Sequence, residues 1–312
     1  MTNFWKNKKV LVTGSTGFLG QSLMSRLEKL QPEKIVTASH ERFDLREYKD
    51  CLSVCKEVDV VIHLAANVGG IGYNQKKPAE LFDDNILMSV NMMKAAYNVG
   101  VKKFVSLGTI CCYPKFTSVP FKEEDLWNGY PEETNAPYGL AKKMQLVQAQ
   151  AYRKQYGFNA IFLLPVNLYG PGDKFDPSQS HVIPALIKKF CDAKKLGLPE
   201  VVVWGTGNAT REFLYVDDAA EGILLAAEKY NKEGPINLGS GYEISIKDLT
   251  KMIKKLSGYQ GKIVWDKTKP DGQPRRRLDV SKAKKEFGFV AKTSFEEGLK
   301  KTINWYRTIT KK

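Results

Sequence analysis

Residues 9–20 constrain the fold more than any other stretch. Lys9-Val-Leu-Val-Thr13 is a short β-branched run that breaks into Gly14-Ser-Thr-Gly17-Phe-Leu-Gly20. Leu19, Leu23, Leu27 and Leu30 then recur at helical spacing. The order is strand, glycine turn, helix. The spacing is Gly-x-x-Gly-x-x-Gly rather than the Gly-x-Gly-x-x-Gly of dinucleotide folds. It still places one glycine at the turn, one at close approach and one facing the sheet. The helix N-terminus can then offer free N–H groups to a pyrophosphate. Glycines also serve ordinary tight turns, so the motif takes its meaning from the strands and helices that come after it in the chain.

Four further strand-like runs succeed it: Ile35–Ala38, Val58–Ala65, Phe104–Gly108 and Ala160–Leu164. The third run of the chain, Val58-Asp-Val-Val-Ile-His-Leu-Ala65, is almost continuously apolar, as in strands covered on both faces. Helical patterns lie between them. The expected fold class is therefore α/β, a Rossmann-type doubly wound parallel sheet. After Leu168-Tyr-Gly-Pro-Gly172 the rhythm changes. Short strands are expected at Val201–Trp204, Ile236–Leu238 and Lys262–Trp265. Helices are expected at Val182–Phe190, Asp217–Tyr230, Ile246–Leu256 and Phe295–Thr308. We expect residues 1–168 to form a dinucleotide-binding domain, to which some later segments return. Residues 169–312 should form mainly a smaller α/β substrate domain across the carboxyl ends of the strands, leaving a cleft.

Composition removes several function classes. The chain has 312 residues, 43% hydrophobic and 26% charged, which excludes wholesale disorder and collagen-like repeats. Its formal charge of +14 first points to nucleic acid. That reading fails on two grounds. Residues 241–312 hold 19 basic and 8 acidic groups, so most of the excess is local. No aromatic–basic platform of the kind single-strand binders use is present. The five cysteines, Cys51, Cys55, Cys111, Cys112 and Cys191, are odd in number and two are neighbours. This argues against a disulfide framework and for a reducing compartment. Cys51 and Cys55 have no second pair and the chain has three histidines, so no metal site is expected. Met1–Lys9 is not a secretory signal and no run reaches the length of a membrane span. A soluble, cytoplasmic protein is expected.

The second strand runs into Ala38-Ser-His40-Glu-Arg42. An acidic residue at its end would bind a ribose 2′-OH and favour NAD. Small, hydroxyl and basic groups, with His40 and Arg42 as candidates, lean instead towards a 2′-phosphate and NADP. Glu41 works against this. Asp44, before Leu45, suits either an adenine-edge contact or a helix N-cap.

The chemistry centres on Tyr138-Gly-Leu-Ala-Lys142. Tyrosine and lysine at i and i+4 share one helix face. A neighbouring ammonium favours the phenolate, and with a bound cationic nicotinamide it can bring a phenol of pKa ~10 into working range. The tyrosine then exchanges a proton with an alcohol or carbonyl oxygen while hydride moves. Upstream, a strand ends in Ser106-Leu-Gly108-Thr109, whose hydroxyl can serve the same oxygen.

Thr109, Tyr138, Lys142 and the glycine loop together resemble the extended short-chain dehydrogenase/reductase family, which acts on nucleotide sugars. His63-Leu-Ala-Ala66, Asn85, Tyr169-Gly-Pro171, Arg211–Asp218 and Asn237–Gly241 extend the resemblance along nearly the whole chain. Asn67–Ile71, Cys111–Lys115, Glu133–Tyr138, Asn167–Pro171, Ser180–Leu186, Val201–Gly205 and Lys269–Arg275 resemble its GDP-L-fucose synthase branch.

That resemblance implies C3 and C5 epimerisation of GDP-4-keto-6-deoxy-D-mannose and NADPH-dependent reduction at C4. It implies Cys111 as base and His181 as acid. It implies Gly14, Thr16, Gly17, Phe18, Leu19, Gly20, Leu64, Ala65, Ala66, Pro165, Asn167 and Leu168 around the cofactor, with Tyr138 and Lys142. On the GDP-sugar it implies Asn167, His181, Val182, Lys189, Trp204, Arg211, Arg275 and Arg276, arginines suiting a diphosphate. A homodimer through the Asn85–Tyr97 helix and the Tyr138 helix is expected by the same resemblance. One departure stands out: Thr109 and Ile110 occupy positions where the family usually has two serines. GDP-mannose 3,5-epimerase, or a reductase or epimerase of another deoxy or heptose sugar, is the alternative. A binding protein that has lost catalysis is opposed by the intact Thr109–Tyr138–Lys142 set.

Overall fold

The computed structural model describes residues 3–176, 180–269 and 271–310. Met1 and Thr2 of the N-terminal segment and Pro270 of the Lys269–Arg275 motif lie outside them. The chain begins β1 (Lys9–Thr13), α1 (Phe18–Lys29), β2 (Lys34–Ala38), α2 (Tyr48–Cys55), β3 (Val60–His63), α3 (Ile71–Lys76), α4 (Pro78–Asn98) and β4 (Lys103–Leu107). It continues α5 (Ala136–Tyr156), β5 (Ala160–Pro165), β6 (Asn167–Tyr169), α6 (Val182–Lys195), β7 (Glu200–Trp204), β8 (Thr210–Tyr215) and α7 (Val216–Lys229). Last come β9 (Ile236–Leu238), β10 (Glu243–Ser245), α8 (Ile246–Ser257), β11 (Lys262–Asp266), β12 (Arg275–Arg276), α9 (Ser281–Phe287) and α10 (Phe295–Ile309).

Six strands make one parallel sheet in the order β2-β1-β3-β4-β5-β9. Strand alternation sends Val10 and Val12 to one face and Leu11 to the other. The first face packs with Leu23 and Leu27 of α1 and Ile223 and Ala226 of α7. The second packs with Cys51 and Cys55 of α2, Met92 and Met93 of α4 and Ala149 of α5. The apolar runs in the sequence are thus strands buried on both sides, as expected of a doubly wound sheet.

Later segments return to the large sheet. Ile236–Leu238 pairs with β5, Leu163 opposite Ile236 and Pro165 opposite Leu238, and closes the edge of the sheet. The helix before it, α7, lies on α1, where Ser22 Oγ donates to Asp217 Oδ1 at 2.6 Å. Ala219 and Ala220 of α7 are buried in the core beneath the sheet, and Gly222 makes room for the Phe289 ring.

Helix α9 also joins the large sheet, burying Ala283 and Phe287 in its core, and the other elements gather around β8. It pairs with β6 and β12 in parallel and with β10 antiparallel, while β7 and β11 form a separate parallel pair. Helices α6, α8 and α10 enclose a second core that includes Ile187, Phe190, Leu249, Ile253, Leu299 and Ile303. Glu212, fully buried on β8, accepts from Gly241 N and from Leu278 N, both at 2.7 Å. Its carboxylate therefore ties β8 to the loops that flank β10 and β12, and so fixes where β12 lies.

Candidate active site

The carboxyl ends of the large sheet open on a cleft of about 880 Å³. One side is the glycine loop. Gly14 has φ +67°, and a Cβ there would stand 2.8 Å from Ala65 N. A Cβ on Gly20 would stand 2.1 Å from Gly14 O. The loop is therefore folded hard against β3 and against its own helix. Gly17 is the N-cap of α1 and makes no side-chain bond to it, so the helix presents uncapped N–H groups towards the cleft. That cradle fits a pyrophosphate.

Thr13 and His63 lock the neighbouring strand ends. Thr13 Oγ1 lies 2.8 Å from His63 Nδ1 and accepts Ala65 N at 3.1 Å. Burial pulls the His63 pKa down to about 3, and the Lys142 ammonium adds to this, so His63 is neutral.

Thr109 follows β4 and N-caps a short 3-10 turn, Ile110–Cys112, accepting Cys111 N at 3.3 Å. Cys112, buried beneath, donates its thiol to Gly139 O at 3.3 Å and so ties the turn to α5. Burial pushes the Cys112 thiol up to about 12, which leaves it inert. Helix α5 brings Tyr138 and Lys142 to the same wall. Asp173, Lys174, His181 and Arg276 come from beyond residue 168 to complete the cleft. Arg276 NH1 donates to Cys111 Sγ at 3.7 Å, and its Nε donates to Gln273 Oε1 at 2.6 Å.

At Tyr138 burial acts first and pushes the phenol above its ordinary value, with the neighbouring Cys111 and Cys112 sulfurs adding to the rise. Burial also lowers Lys142 to about 8. Tyr138 is thus held as a neutral phenol, the form that can donate a proton. The His181 ring opens to the cleft yet is crowded by protein. That desolvation, and then the Lys174 charge, hold it below the ordinary imidazole value.

Residues 10–239 match the model of the NAD dependent epimerase/dehydratase family. The chain is 42% identical over 304 residues to probable GDP-L-fucose synthase 1 of Oryza sativa subsp. japonica, covering 96% of this chain and 92% of that protein. The chain belongs to the GDP-L-fucose synthase family. Among solved structures, a GDP-L-fucose synthetase from Naegleria fowleri bound to NADP has a TM-score of 0.88 at 30% identity, covering 98% of this chain and 96% of that one. A GDP-6-OMe-4-keto-L-xylo-heptose reductase from C. jejuni has a TM-score of 0.92 at 27% identity, covering 99% of both chains.

Most residues picked from the sequence converge on the cleft. Gly14, Thr16, Gly17, Phe18, Leu19, Gly20, His40, Asp44, Leu64, Ala65, Ala66, Thr109, Cys111, Tyr138, Lys142, Pro165, Asn167, Leu168, His181 and Arg276 all line it. Arg42, Val182, Lys189, Trp204, Arg211 and Arg275 do not. For Arg275 the reason is strand alternation. On β12 its side chain turns from the cleft and grips Glu243 with two hydrogen bonds, at 2.9 and 2.7 Å, while Arg276 turns inward. Arg211 pairs in register with Arg276, donates to Thr210 O and Asp271 O, and is lowered to about 10 by burial and by Arg276. Lys189 donates to Val202 O at 2.9 Å beside the exposed Trp204 ring, with Lys269 also near that ring. Together they form an outer shelf. Lys188 is paired with Asp192.

Asp44 is not the N-cap of α2, a place taken by Glu47. Its carboxylate is held by Arg46, through Nε at 2.9 Å and NH2 at 2.7 Å, and Arg46 also reaches Asp84 at 3.0 Å. Arg46 lines the cleft and was missed, although Asp44-Leu-Arg46 places the pair side by side in the sequence. Asn74 and Asn135, bonded to each other at 3.1 Å, were also missed, as were Asp173 and Lys174. The signal for the last two was their position directly after the Gly170–Gly172 turn. Among the described residues no cluster of side chains could hold a metal ion and no helix is long and apolar enough to cross a membrane.

Proposed function

We propose that the protein converts GDP-4-keto-6-deoxy-D-mannose to GDP-L-fucose, epimerising C3 and C5 and reducing C4 with NADPH. The reading is carried by one observation: a thiol, an imidazole, a phenol and a hydroxyl converge on one cleft beside an anion-binding glycine loop.

NADPH supplies the hydride when it is bound in that cleft, its pyrophosphate on the N-terminus of α1. The chain's own groups do the rest. Tyr138 and Thr109 donate hydrogen bonds to the C4 oxygen and stabilise the enolate that forms when a neighbouring carbon loses its proton. Cys111 Sγ removes the proton from C3 or C5, with the Arg276 charge beside it. His181 returns a proton on the opposite face, favoured as imidazolium by the charge of the bound diphosphate. Exchange with solvent restores both groups between the two rounds. Tyr138 then protonates the C4 oxygen as reduction occurs, and Lys142 holds the ribose and orients the phenol.

NADP rather than NAD is supported by the lack of an acidic residue directly after β2, by His40 in the cleft and by the NADP on the Naegleria relative. In this reading the GDP half falls to Arg211, which pairs in register with Arg276 of the cleft, and to the Trp204 shelf. The homodimer reading is supported by Phe82, Leu87 and Val90 exposed on α4 beside Val147 exposed on α5. Five free cysteines suit the cytoplasm. A GDP-heptose C4 reductase is the second reading, favoured by the C. jejuni neighbour.

The test follows NADPH consumption with GDP-4-keto-6-deoxymannose and with a GDP-4-keto-heptose, the products read by NMR. Turnover of the first to GDP-L-fucose is expected. Turnover of the heptose alone selects the second reading, and of neither overturns both. Cys111→Ser should stop deuterium wash-in at C3 and C5.

A further inference from the structure

We propose that Asp173 is a further binding residue of the cleft, its Oδ2 accepting a hydrogen bond from a hydroxyl or amide group of a bound ligand. The inference rests on the reading that the cleft takes a dinucleotide and a nucleotide sugar. Asp173 is 8% exposed and lines the cleft. Its two oxygens differ. Oδ1 accepts Lys174 N at 2.7 Å. Oδ2 is buried and has no partner. A carboxyl serving only to shape the loop would have both oxygens engaged, because a buried acceptor left unmade is costly.

The position narrows the ligand chemistry. The preceding residue, Gly172, faces Gln21 Oε1 and the Phe18 ring at the start of α1, at 3.8 Å from a Cβ built there. The chain at Asp173 therefore runs past the start of α1, and its side chain lines the same cleft as the glycine loop. The uncapped N–H groups of α1 suit phosphate oxygens, whereas a carboxylate repels them. What a carboxylate accepts is an O–H or N–H: a ribose or sugar hydroxyl, or a carboxamide NH2. Lys174 is adjacent in the chain. The other charged and titratable groups that line the cleft with it, among the described residues, are His181 and Arg276 from beyond residue 168, Tyr138 and Lys142 from α5, Cys111 from the turn after β4, and His40, Asp44, Arg46 and Asp84.

Burial pushes the Asp173 pKa up to about 7, against the smaller opposing effects of the Lys174 N–H and charge. A hydrogen-bond donor stabilises the ionised form, so binding it releases a proton. Affinity then rises with pH up to the free-protein value and levels above it. Between pH 6 and pH 8 the gain is about tenfold.

Calorimetric titration in two buffers of different ionisation enthalpy tests this. One arm titrates NADPH into the protein, and the other titrates GDP-L-fucose into the NADP-saturated protein. The readout is the wild-type behaviour less that of Asp173→Asn, which cancels the titrations of His181 and of the cofactor 2′-phosphate. In one arm the wild type should release a proton that the variant does not. It should also show the tenfold pH gain, and the variant should bind about tenfold more weakly at pH 8. The arm that responds identifies cofactor or sugar as the source of the donor. Wild type and variant with equal affinities and equal proton release in both arms would overturn the proposal. So would a wild type whose affinity is flat or falls from pH 6 to pH 8 in both arms, a measurement that needs no variant. Failure of the wild type to bind either ligand would instead defeat the functional reading itself.

Discussion

Arg276 NH1 stands 3.7 Å from Cys111 Sγ, bringing a permanent positive charge to the sulfur from the far side of the cleft. Its chain neighbour Arg275 is bound to Glu243 on the opposite side of β12. Two adjacent arginines therefore have different jobs.

Their substitutions should separate. Arg276→Ala should slow deuterium wash-in at C3 and C5 by about ten- to a hundredfold, the loss of one hydrogen bond to a charged group. Arg275→Ala should leave wash-in within about twofold, since an exposed arginine paired with a carboxylate contributes little. NMR of the exchanged sugar reads both. Equal effects would mean that the alternation on β12 does not govern the chemistry.

Tyr138→Phe should reduce C4 reduction by about 10²–10⁴-fold while NADPH still binds, because only the proton donor is removed. Lys142, lowered to about 8, loses its charge as pH rises through that value. Turnover should fall on that alkaline limb. Lys142→Arg, whose guanidinium stays charged, should shift the limb upward. A kcat–pH profile of the variant that keeps its break near 8 would assign the limb to another group.

His63 should govern acid stability. Its folded pKa, about 3, lies below the unfolded value near 6.5, so the unfolded chain binds the extra proton. The stability of keeping it neutral is fully present above about 6.5 and is lost as pH falls towards 3, at roughly 1.4 kcal/mol per pH unit. Denaturant unfolding between pH 7 and pH 5 should show that slope, and His63→Asn should flatten it.

Gly20→Ala should act by contact alone. Its Cβ would stand 2.1 Å from Gly14 O, against backbone that cannot yield cheaply. We expect a loss of about 1–3 kcal/mol in stability and weaker NADPH binding. Gly72→Ala on α3 meets nothing within 4 Å and should be neutral or stabilising by up to about 1 kcal/mol. Thermal melts and fluorescence titration of NADPH compare the two.

The parts of the cleft that were legible in the sequence are those fixed by local periodicity. Thr109 follows a strand end, Tyr138 and Lys142 share a helix turn, and the three glycines mark a strand-to-helix turn. These relations need only the repeat of one element. The parts that were not legible depend on where distant segments meet. Nothing local to Arg275-Arg-Arg277 tells which arginine faces the cleft, because the pairing of Arg276 with Arg211 is set across β8 and held by Glu212. Ile236–Leu238 reads as a strand in the sequence, but only the open edge of β5 assigns it to the large sheet. The Tyr138 phenol shows the same limit in energy. Spacing supplied the neighbouring lysine, whereas burial, the leading cause of the raised phenol, belongs to the packed structure.

Thr109 and Cys111 share one short turn, the hydroxyl of the first receiving the backbone N–H of the second. Under the proposed function, the group that would polarise the ketone and the group that would remove the proton are thus mounted on a single pivot. Any displacement of that turn detunes both halves of the reaction together. Selection can nevertheless uncouple them at the level of atoms. Exchanging the sulfur or the imidazole would leave the pivot, the phenol and the cofactor seat in place. The same frame could then carry a reductase with no epimerase activity, so changes at Cys111 and His181 would be the place to look for such a transition.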